Sequence, residues 1–352
     1  MDIQPYLKLM VEKNASDLFF TTGSPVKIKI EGKVQSVGKT ELTPELGQAA
    51  AFGVMNAKQR AEFEETMECD FAIALPDNSA RYRVNVFRQR GDVGMVLRLI
   101  PSRIPTIAEL GLPDILQEIV MAKRGLILMV GATGSGKSTT LAAMLDYRNE
   151  HMAGHILTIE DPVEFFHSNK KSIVNQREVG VDTMSYARAL KASLREAPDV
   201  ILIGEIRERE TMEAGLELSN TGHLSISTLH ANNANQAMER VINMFPQDLH
   251  KQLFMDLSLN LRAVISQRLI SDVNGKRCAA IEIMMVTPHI RELILNGEID
   301  GIKEAMQESG AKGMQTFDDA LYNLFKEGRI TMEEALNNAD SRTNLEATVN
   351  FG

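Results

Sequence analysis

Cysteine is scarce in this chain: Cys69 and Cys278 are the only two among 352 residues. They lie far apart, in no CxxC pair and near no histidine at ligand spacing. That excludes a disulfide framework and a cysteine zinc site, and points to two reduced core thiols in a reducing compartment. No stretch reaches the ~18 consecutive apolar residues of a membrane-spanning helix; runs such as Leu126 to Val130 have the length of a strand. The opening Met1-Asp-Ile-Gln-Pro5 has neither a basic region nor an apolar one, so no signal peptide is expected. The expectation is a cytoplasmic chain whose dealings with a membrane pass through a partner. Positive charge is also short, with 38 Lys and Arg against 47 Asp and Glu and a net charge of -9. Nucleic-acid binders draw most of their affinity from neutralised phosphates. The acidic balance, without a basic groove interleaved with aromatics, argues against a nucleic-acid partner. Internal repeats and low-complexity tracts are absent.

What is present is a large apolar fraction, 44%, in a chain long enough for two domains. Residues 1–100 read as a small α+β unit. Tyr6, Leu7, Leu9, Met10 and Val11 have helical spacing. Asp17 to Thr21 and Val26 to Ile30 read as strands, the second with Val26, Ile28 and Ile30 alternating against lysines. Thr43-Pro44-Glu45 opens a helix with a cap and a first-turn proline. Phe71 to Leu75 and Arg81 to Phe87 read as strands joined by a turn at Pro76-Asp77-Asn78-Ser79, followed by a strand from Gly94 to Ile100. In Arg81-Tyr82-Arg83-Val84, apolar and basic residues alternate, so one face packs and the other presents guanidinium groups. Pro101, Pro105 and Pro113 mark a linker over 101–113. Beyond it, apolar strands at Leu126 to Val130, Ile156 to Ile159, Val200 to Ile203, His223 to Thr228 and Ala279 to Met285 alternate with helices. That pattern predicts an α/β domain with a parallel sheet covered on both faces. From about Pro288 the chain reads as helices, clearest at 313–327 and 332–338.

Gly131-Ala132-Thr133-Gly134-Ser135-Gly136-Lys137-Ser138 follows one of those strands and precedes a helical run from Thr139. This is GxxxxGK[ST] in its working context: backbone N–H groups and a helix N-terminus face a phosphate, Lys137 reaches the β- and γ-phosphates, and Ser138 can ligate Mg²⁺. Hydrolysis needs more, namely groups that orient water and share the metal. Glu160, Asp161 and Glu164 follow one strand end, and Gly204-Glu205 follows another. The carboxyl ends of parallel strands face the ligand crevice, so both clusters are expected near the nucleotide. The second apolar run departs from the usual pattern by ending in Gly-Glu rather than Asp, with Asp199 preceding it. His223 and His230 bracket one strand. Either is a candidate to sense the γ-phosphate or a structural histidine, and neither has metal-ligand spacing.

Taken in order, these segments resemble the secretion-ATPase superfamily, and within it the PilT/PilU branch of type IV pilus retraction ATPases. Ala15-Ser16-Asp17-Leu18 resembles the family's ASDLH signature, with Phe19 for the histidine, and Arg81-Tyr82-Arg83-Val84-Asn85 resembles its RFRVN strand. The phosphate loop, Glu160-Asp161-Pro162-Val163-Glu164-Phe165, Asn175-Gln176-Arg177-Glu178, Gly204-Glu205-Ile206-Arg207 and Thr221-Gly222-His223 through Thr228-Leu229-His230 match its core boxes over almost the whole chain. The resemblance implies a PAS-like N-terminal α+β domain (1–100), the linker, a RecA-like ATPase domain (114–287) and a helical C-terminal extension (288–352). It implies Glu164 as catalytic glutamate, Glu205 as the glutamate that positions Mg²⁺ and water, and His223 and His230 as histidine-box residues, with His223 at the nucleotide. Arg81, Arg83 and Arg98 resemble arginines that reach nucleotide across domains or subunits. Residues 131–139, including Thr139, would hold ATP. The absence of a four-cysteine zinc motif and of a longer N-terminal region favours retraction over extension. Thr287-Pro288-His289-Ile290-Arg291-Glu292-Leu293-Ile294 is similar to the AIRNLI motif, with His289 and Glu292 substituted, and the tail resembles the PilU type. The partners implied are a homo-hexamer, a PilT-type retraction ATPase and an inner-membrane pilus platform protein. Two alternatives stand beside this: an accessory nucleotide-binding ring protein without essential hydrolysis, and a secretion or DNA-transfer motor on the same fold.

Overall fold

Where the sequence alternates apolar and polar side chains, the computed structural model has half-buried strands. It describes residues 1–30, 32–77, 80–100 and 103–351. Asn78 and Ser79 of the expected turn, and Pro101 and Ser102 of the expected linker, lie outside the described residues. The described chain divides into two units: Met1–Arg103 with Glu164–Phe166, and Ile104–Val163 with His167–Gly352.

The first unit contains α1 (Gln4–Glu12), β1 (Asp17–Phe20), β2 (Pro25–Ile30), β3 (Lys33–Glu41), α2 (Pro44–Val54), α3 (Ala57–Thr66), β4 (Glu68–Ala74), β5 (Arg81–Gln89) and β6 (Asp92–Ile100). Its six strands form one sheet in the order β3-β2-β1-β6-β5-β4, with every pairing antiparallel. On β5, Tyr82, Val84 and Val86 are fully buried, as the alternation requires. The Tyr82 hydroxyl donates to the Leu7 carbonyl at 2.7 Å, joining sheet to α1. Thr43 caps α2 by accepting from the Leu46 N–H at 3.3 Å, and Asn56 and Gln59 form a reciprocal capping box on α3. Burial pushes the Cys69 thiol up to about 11 and also raises Cys278. Both thiols are free and buried, as core residues.

The second unit contains α4 (Ile115–Val120), β7 (Gly125–Val130), α5 (Lys137–His151), β8 (Gly154–Glu160), β9 (Ser172–Glu178), α6 (Tyr186–Ser193), β10 (Val200–Ile203), α7 (Arg209–Asn220), β11 (Leu224–Leu229), α8 (Ala234–Asn243), α9 (His250–Asn260), β12 (Leu261–Ser271) and β13 (Arg277–Met285). Five helices follow: α10 (Pro288–Asn296), α11 (Ile302–Glu308), α12 (Phe317–Lys326), α13 (Met332–Asn338) and α14 (Arg342–Phe351). The sheet has seven strands in the order β13-β12-β7-β11-β10-β8-β9. Every pairing is parallel except that of β13 with β12, so the strand at Ala279 to Met285 departs from the all-parallel expectation. The physical reason is that only a short turn joins it to β12, and a parallel return needs a long crossover.

Leu126 to Val130 of β7 are 0% exposed, each contributing about 1.5–3 kcal/mol of hydrophobic stabilisation. Ile107 and Leu112, within the stretch expected as linker, are buried in this unit's core with Leu116 and Ile127. The apolar face of α12 and α13 packs inside the same chain: Phe317, Leu321, Leu324, Ala335 and Leu336 bury against Ile270, Cys278 and Ala280 of β12 and β13. The stretch expected as a helix over 313–327 starts instead at Phe317, where Thr316 and Asp319 form a capping box.

Candidate functional site

The parallel register brings the carboxyl ends of β7, β11 and β10 side by side, and each end delivers a functional segment. Gly131 leaves β7 at φ 154°. A Cβ built there would stand 2.5 Å from Ser135 Oγ and 2.6 Å from the Gln267 carbonyl oxygen. Only glycine lets the loop turn this close to β12. Gly136, at φ 86°, is the N-cap of α5, so the loop runs straight into a helix N-terminus whose N–H groups and partial positive charge suit an anion. The Ser135 hydroxyl is buried and has no hydrogen-bond partner among the described residues. A buried hydroxyl facing the inside of such a cradle fits a phosphate oxygen as acceptor. Lys137 Nζ donates to the carbonyls of Gly131 at 2.7 Å and Ala132 at 2.9 Å, so its ammonium lies over the loop. Ala132, Thr133 and Gly134 are exposed, and Ser138 and Thr139 are half-buried. A cleft of about 330 Å³ is lined by Gly131–Ser135 with Asn232, Gln267, Arg268 and Leu269.

Glu205 follows β10 and His230 follows β11. They meet, with His230 Nε2 3.1 Å from Glu205 Oε1. The other Glu205 oxygen accepts from Arg207 at 2.8–2.9 Å, and this bond holds the guanidinium in its charged form. Arg240 donates to the His230 carbonyl at 2.9 Å, fixing the backbone from which the imidazole hangs. Glu160 ends β8, where Oε1 accepts from Thr158 at 2.6 Å. One residue on, the Asp161–Pro162 peptide bond is cis.

His223 corrects a sequence expectation. It stands before the first residue of β11, whose register pairs Leu224 with Gly125 and Leu229 with Val130. The phosphate loop follows Val130, so His223 sits at the opposite end of the strand, roughly 20 Å away at ~3.3 Å per residue. There its Nδ1 faces the Leu218 carbonyl at 3.0 Å and Thr221 Oγ1 at 3.1 Å. It is not a nucleotide contact of the cleft formed by its own chain.

Arg81, Arg83 and Arg98 share one face of the first unit's sheet, with Arg83 directly across from Arg98. Opposed like charges repel, and acids offset them here: Asp17 takes Arg98 at 2.8 Å and Asp70 takes Arg83 at 3.5 Å. The Arg81 guanidinium lies 4.8 Å from the Phe166 ring centroid. Glu164 is exposed and groups with the first unit.

Just past that segment, His167 is a buried anchor in the second unit. Its N–H donates to Gln176 Oε1 at 2.8 Å, and its ring lies 4.0 Å from Asp146 of α5. Burial pushes the imidazole down to about 4, with Asp146 opposing the shift and Lys170 adding to it. The folded chain therefore binds fewer protons here than the unfolded one. Stability is complete above about pH 6.5 and is lost as pH falls toward 4. The wild type is expected to lose about 2–3 kcal/mol from this group by pH 4. Urea unfolding of His167→Gln should show a flatter acid limb, and identical limbs would refute the assignment.

Two neighbours of the loop escape sequence reasoning. Gln267 is a buried amide in mid-strand that accepts from Thr140 Oγ1 at 2.7 Å, and its side chain leaves room for no Cβ at Gly136. Arg268 lines the cleft beside it.

The profile of the family described as Type II/IV secretion system protein matches residues 1–347. The chain is 52% identical to the type IV pilus ATPase PilU of Pseudomonas aeruginosa, over 100% of this chain and 92% of that one. It is 44% identical to the type IV pilus retraction ATPase PilT of the same organism, over 95% and 97%. The crystal structure of the pilus retraction motor PilT with bound ADP aligns with a TM-score of 0.92 and 42% identity, covering 98% of this chain and 99% of that one.

Proposed function

This chain belongs to the Type II/IV secretion system protein family, and from that premise we propose how it acts as an ATP-hydrolysing subunit of type IV pilus retraction and twitching motility. The observation that carries the reading is the glycine-turned loop, whose Ser135 hydroxyl has no partner among the described residues, beside the Glu205–His230 pair at 3.1 Å. Backbone N–H groups of residues 131–139 and the start of α5 bind the phosphates. Lys137 exchanges the Gly131 and Ala132 carbonyls for β- and γ-phosphate oxygens. Among the described residues no cluster of three or more His, Cys, Asp or Glu could hold a metal. Ser138 and Glu205 suit Mg²⁺ all the same, because that ion completes its shell with phosphate oxygens and water. The ion would neutralise charge on the β- and γ-phosphates. Glu164 accepts the proton of the attacking water, and Glu205 holds His230 toward the γ-phosphate side. Arg81, Arg83 and Arg98, from this or a neighbouring subunit, stabilise charge in the transition state.

The working division is an N-terminal domain over 1–100, a linker over 101–113, the ATPase domain over 114–287 and a helical extension over 288–352. The chain assembles as a homo-hexamer in the cytoplasm, docked on an inner-membrane pilus platform protein, with no nucleic acid. No described helix is long and apolar enough to cross a membrane, which supports docking through a partner. The resemblance to the PilU type implies a helper role beside a PilT-type motor, and one relative is named a type IV pilus ATPase PilU. ATP turnover by the purified protein, alone and with a PilT-type ATPase, tests this. Turnover raised severalfold in the mixture is expected of a helper; the same rate with and without the partner would make it a self-sufficient motor.

A further inference from the structure

Arg268 is charged, lines the cleft with the phosphate loop, and has no part in the reaction above. Its guanidinium lies on the face of Phe317, 3.9 Å from the ring centroid. Nη1 donates to the Asn338 carbonyl at 2.9 Å, and Nη2 to the Asn232 carbonyl at 3.3 Å and to Asp340 Oδ1 at 2.7 Å. Asn232 belongs to the short segment between His230 and α8, while Phe317 and Asn338 belong to the C-terminal helices and Asp340 to the turn between α13 and α14. The second Asp340 oxygen is 3.3 Å from Lys303 Nζ. The Asp340 side chain is 14% exposed and that of Arg268 27%, so the pair is partly sheltered from screening. The turn that carries Asp340 is held independently, since Asp318 accepts from the N–H groups of Asp340 at 2.8 Å and Ser341 at 3.2 Å. Removing the Asp340 charge therefore leaves the backbone anchored.

We propose that Asp340 is a positioning residue that restrains Arg268, so that the C-terminal helices set the affinity of the cleft for nucleotide phosphates. A guanidinium binds carboxylate and phosphate by the same planar fork. While Asp340 occupies the fork, Arg268 is neutralised and directed toward the Asn232 segment. Without that carboxylate, less negative charge opposes Arg268, which lines the cleft with the phosphate loop and has the buried Glu282 within its field. The direction of the effect separates this from mere loosening. Loss of structure weakens nucleotide binding, whereas loss of the restraint strengthens it.

The inference rests on the reading of this cleft as the nucleotide site, and the test separates the two. ADP affinity is measured by calorimetry on the full chain for the wild type and for Lys137→Ala, Asp340→Asn, Asp340→Ser, Asp340→Glu, Arg268→Gln and the double variant Arg268→Gln/Asp340→Asn. Loss of binding in Lys137→Ala supports the site, and equal binding in that variant would overturn the site and the restraint together. Asp340→Asn is expected to bind ADP roughly threefold to tenfold tighter, with the gain shrinking as salt rises. Asp340→Ser, smaller and also uncharged, should move in the same direction. Asp340→Glu should restore wild-type affinity. The Asp340→Asn change should have no effect once Arg268 is Gln. Unchanged or weaker binding in both uncharged Asp340 variants overturns the proposal, as does tightening that persists without Arg268.

Discussion

Gly131→Ala is expected to lose ADP binding and to lower ATP turnover by roughly a hundredfold or more. The new methyl meets two atoms at once, Ser135 Oγ at 2.5 Å and the Gln267 carbonyl oxygen at 2.6 Å. The serine could rotate, but the carbonyl is backbone of β12, where Gln267 is paired with Ile281 of β13 and directly follows Ser266, the last residue paired with β7. Alanine also disfavours φ 154°. The loop must therefore move, and a displacement of about 1 Å is enough to misplace every N–H that faces the phosphates. Because the clash lies at the rim of the sheet rather than in its core, thermal unfolding should shift far less than turnover does. Calorimetric ADP titration and a coupled ATPase assay check this. Near-normal turnover would mean that the loop does not hold the nucleotide as argued.

Glu164→Gln has a different signature: ADP binding is retained while kcat falls about a hundredfold or more, in the range lost with a general base. The amide keeps the shape of the carboxylate and removes its capacity to take a proton from water. Glu164 is exposed, so the exchange leaves no buried polar group unpaired, and stability should change little. Glu160 and Glu205 are the competing carboxylates. A Glu164→Gln protein with wild-type kcat would transfer the base to one of them, and the matching Gln variants would identify which.

The phosphate loop is legible because its whole cradle is contiguous: a strand, eight residues and a helix carry the turn, the charge and the dipole together. Glu205 and His230 are legible through the rule that parallel strands present their carboxyl ends to the ligand. Their 3.1 Å approach is not, since it depends on β10 and β11 being neighbours. His223 departs from expectation because bracketing a strand does not say which end meets the ligand: one end of β11 faces the loop and the other faces away. Gln267 and Arg268 leave no local trace. One bonds Thr140 across 127 positions and the other bonds Asp340 across 72. A polar residue inside a strand reads as an interruption until its partner is known, and β12 was missed along with them. β3 was missed for the opposite reason: none of its side chains is buried, so no apolar alternation marks it.

The same exposure of β3 has a consequence for how the molecule behaves in a crowd of its own copies. An outer strand offers unpaired N–H and C=O groups to any passing chain. In the first unit that strand carries Lys33, Lys39 and Glu41, whose hydration and charge resist edge-to-edge growth. In the second unit, β9 ends in Asn175-Gln176-Arg177-Glu178, with Arg177 held by Glu196 at 2.9 Å. At the far side, Ile283 of β13 exchanges backbone hydrogen bonds with Gln315 at 2.8 and 3.1 Å, an isolated bridge that occupies the edge at that residue. Where copies of this chain crowd together, these features discourage its sheets from joining edge to edge.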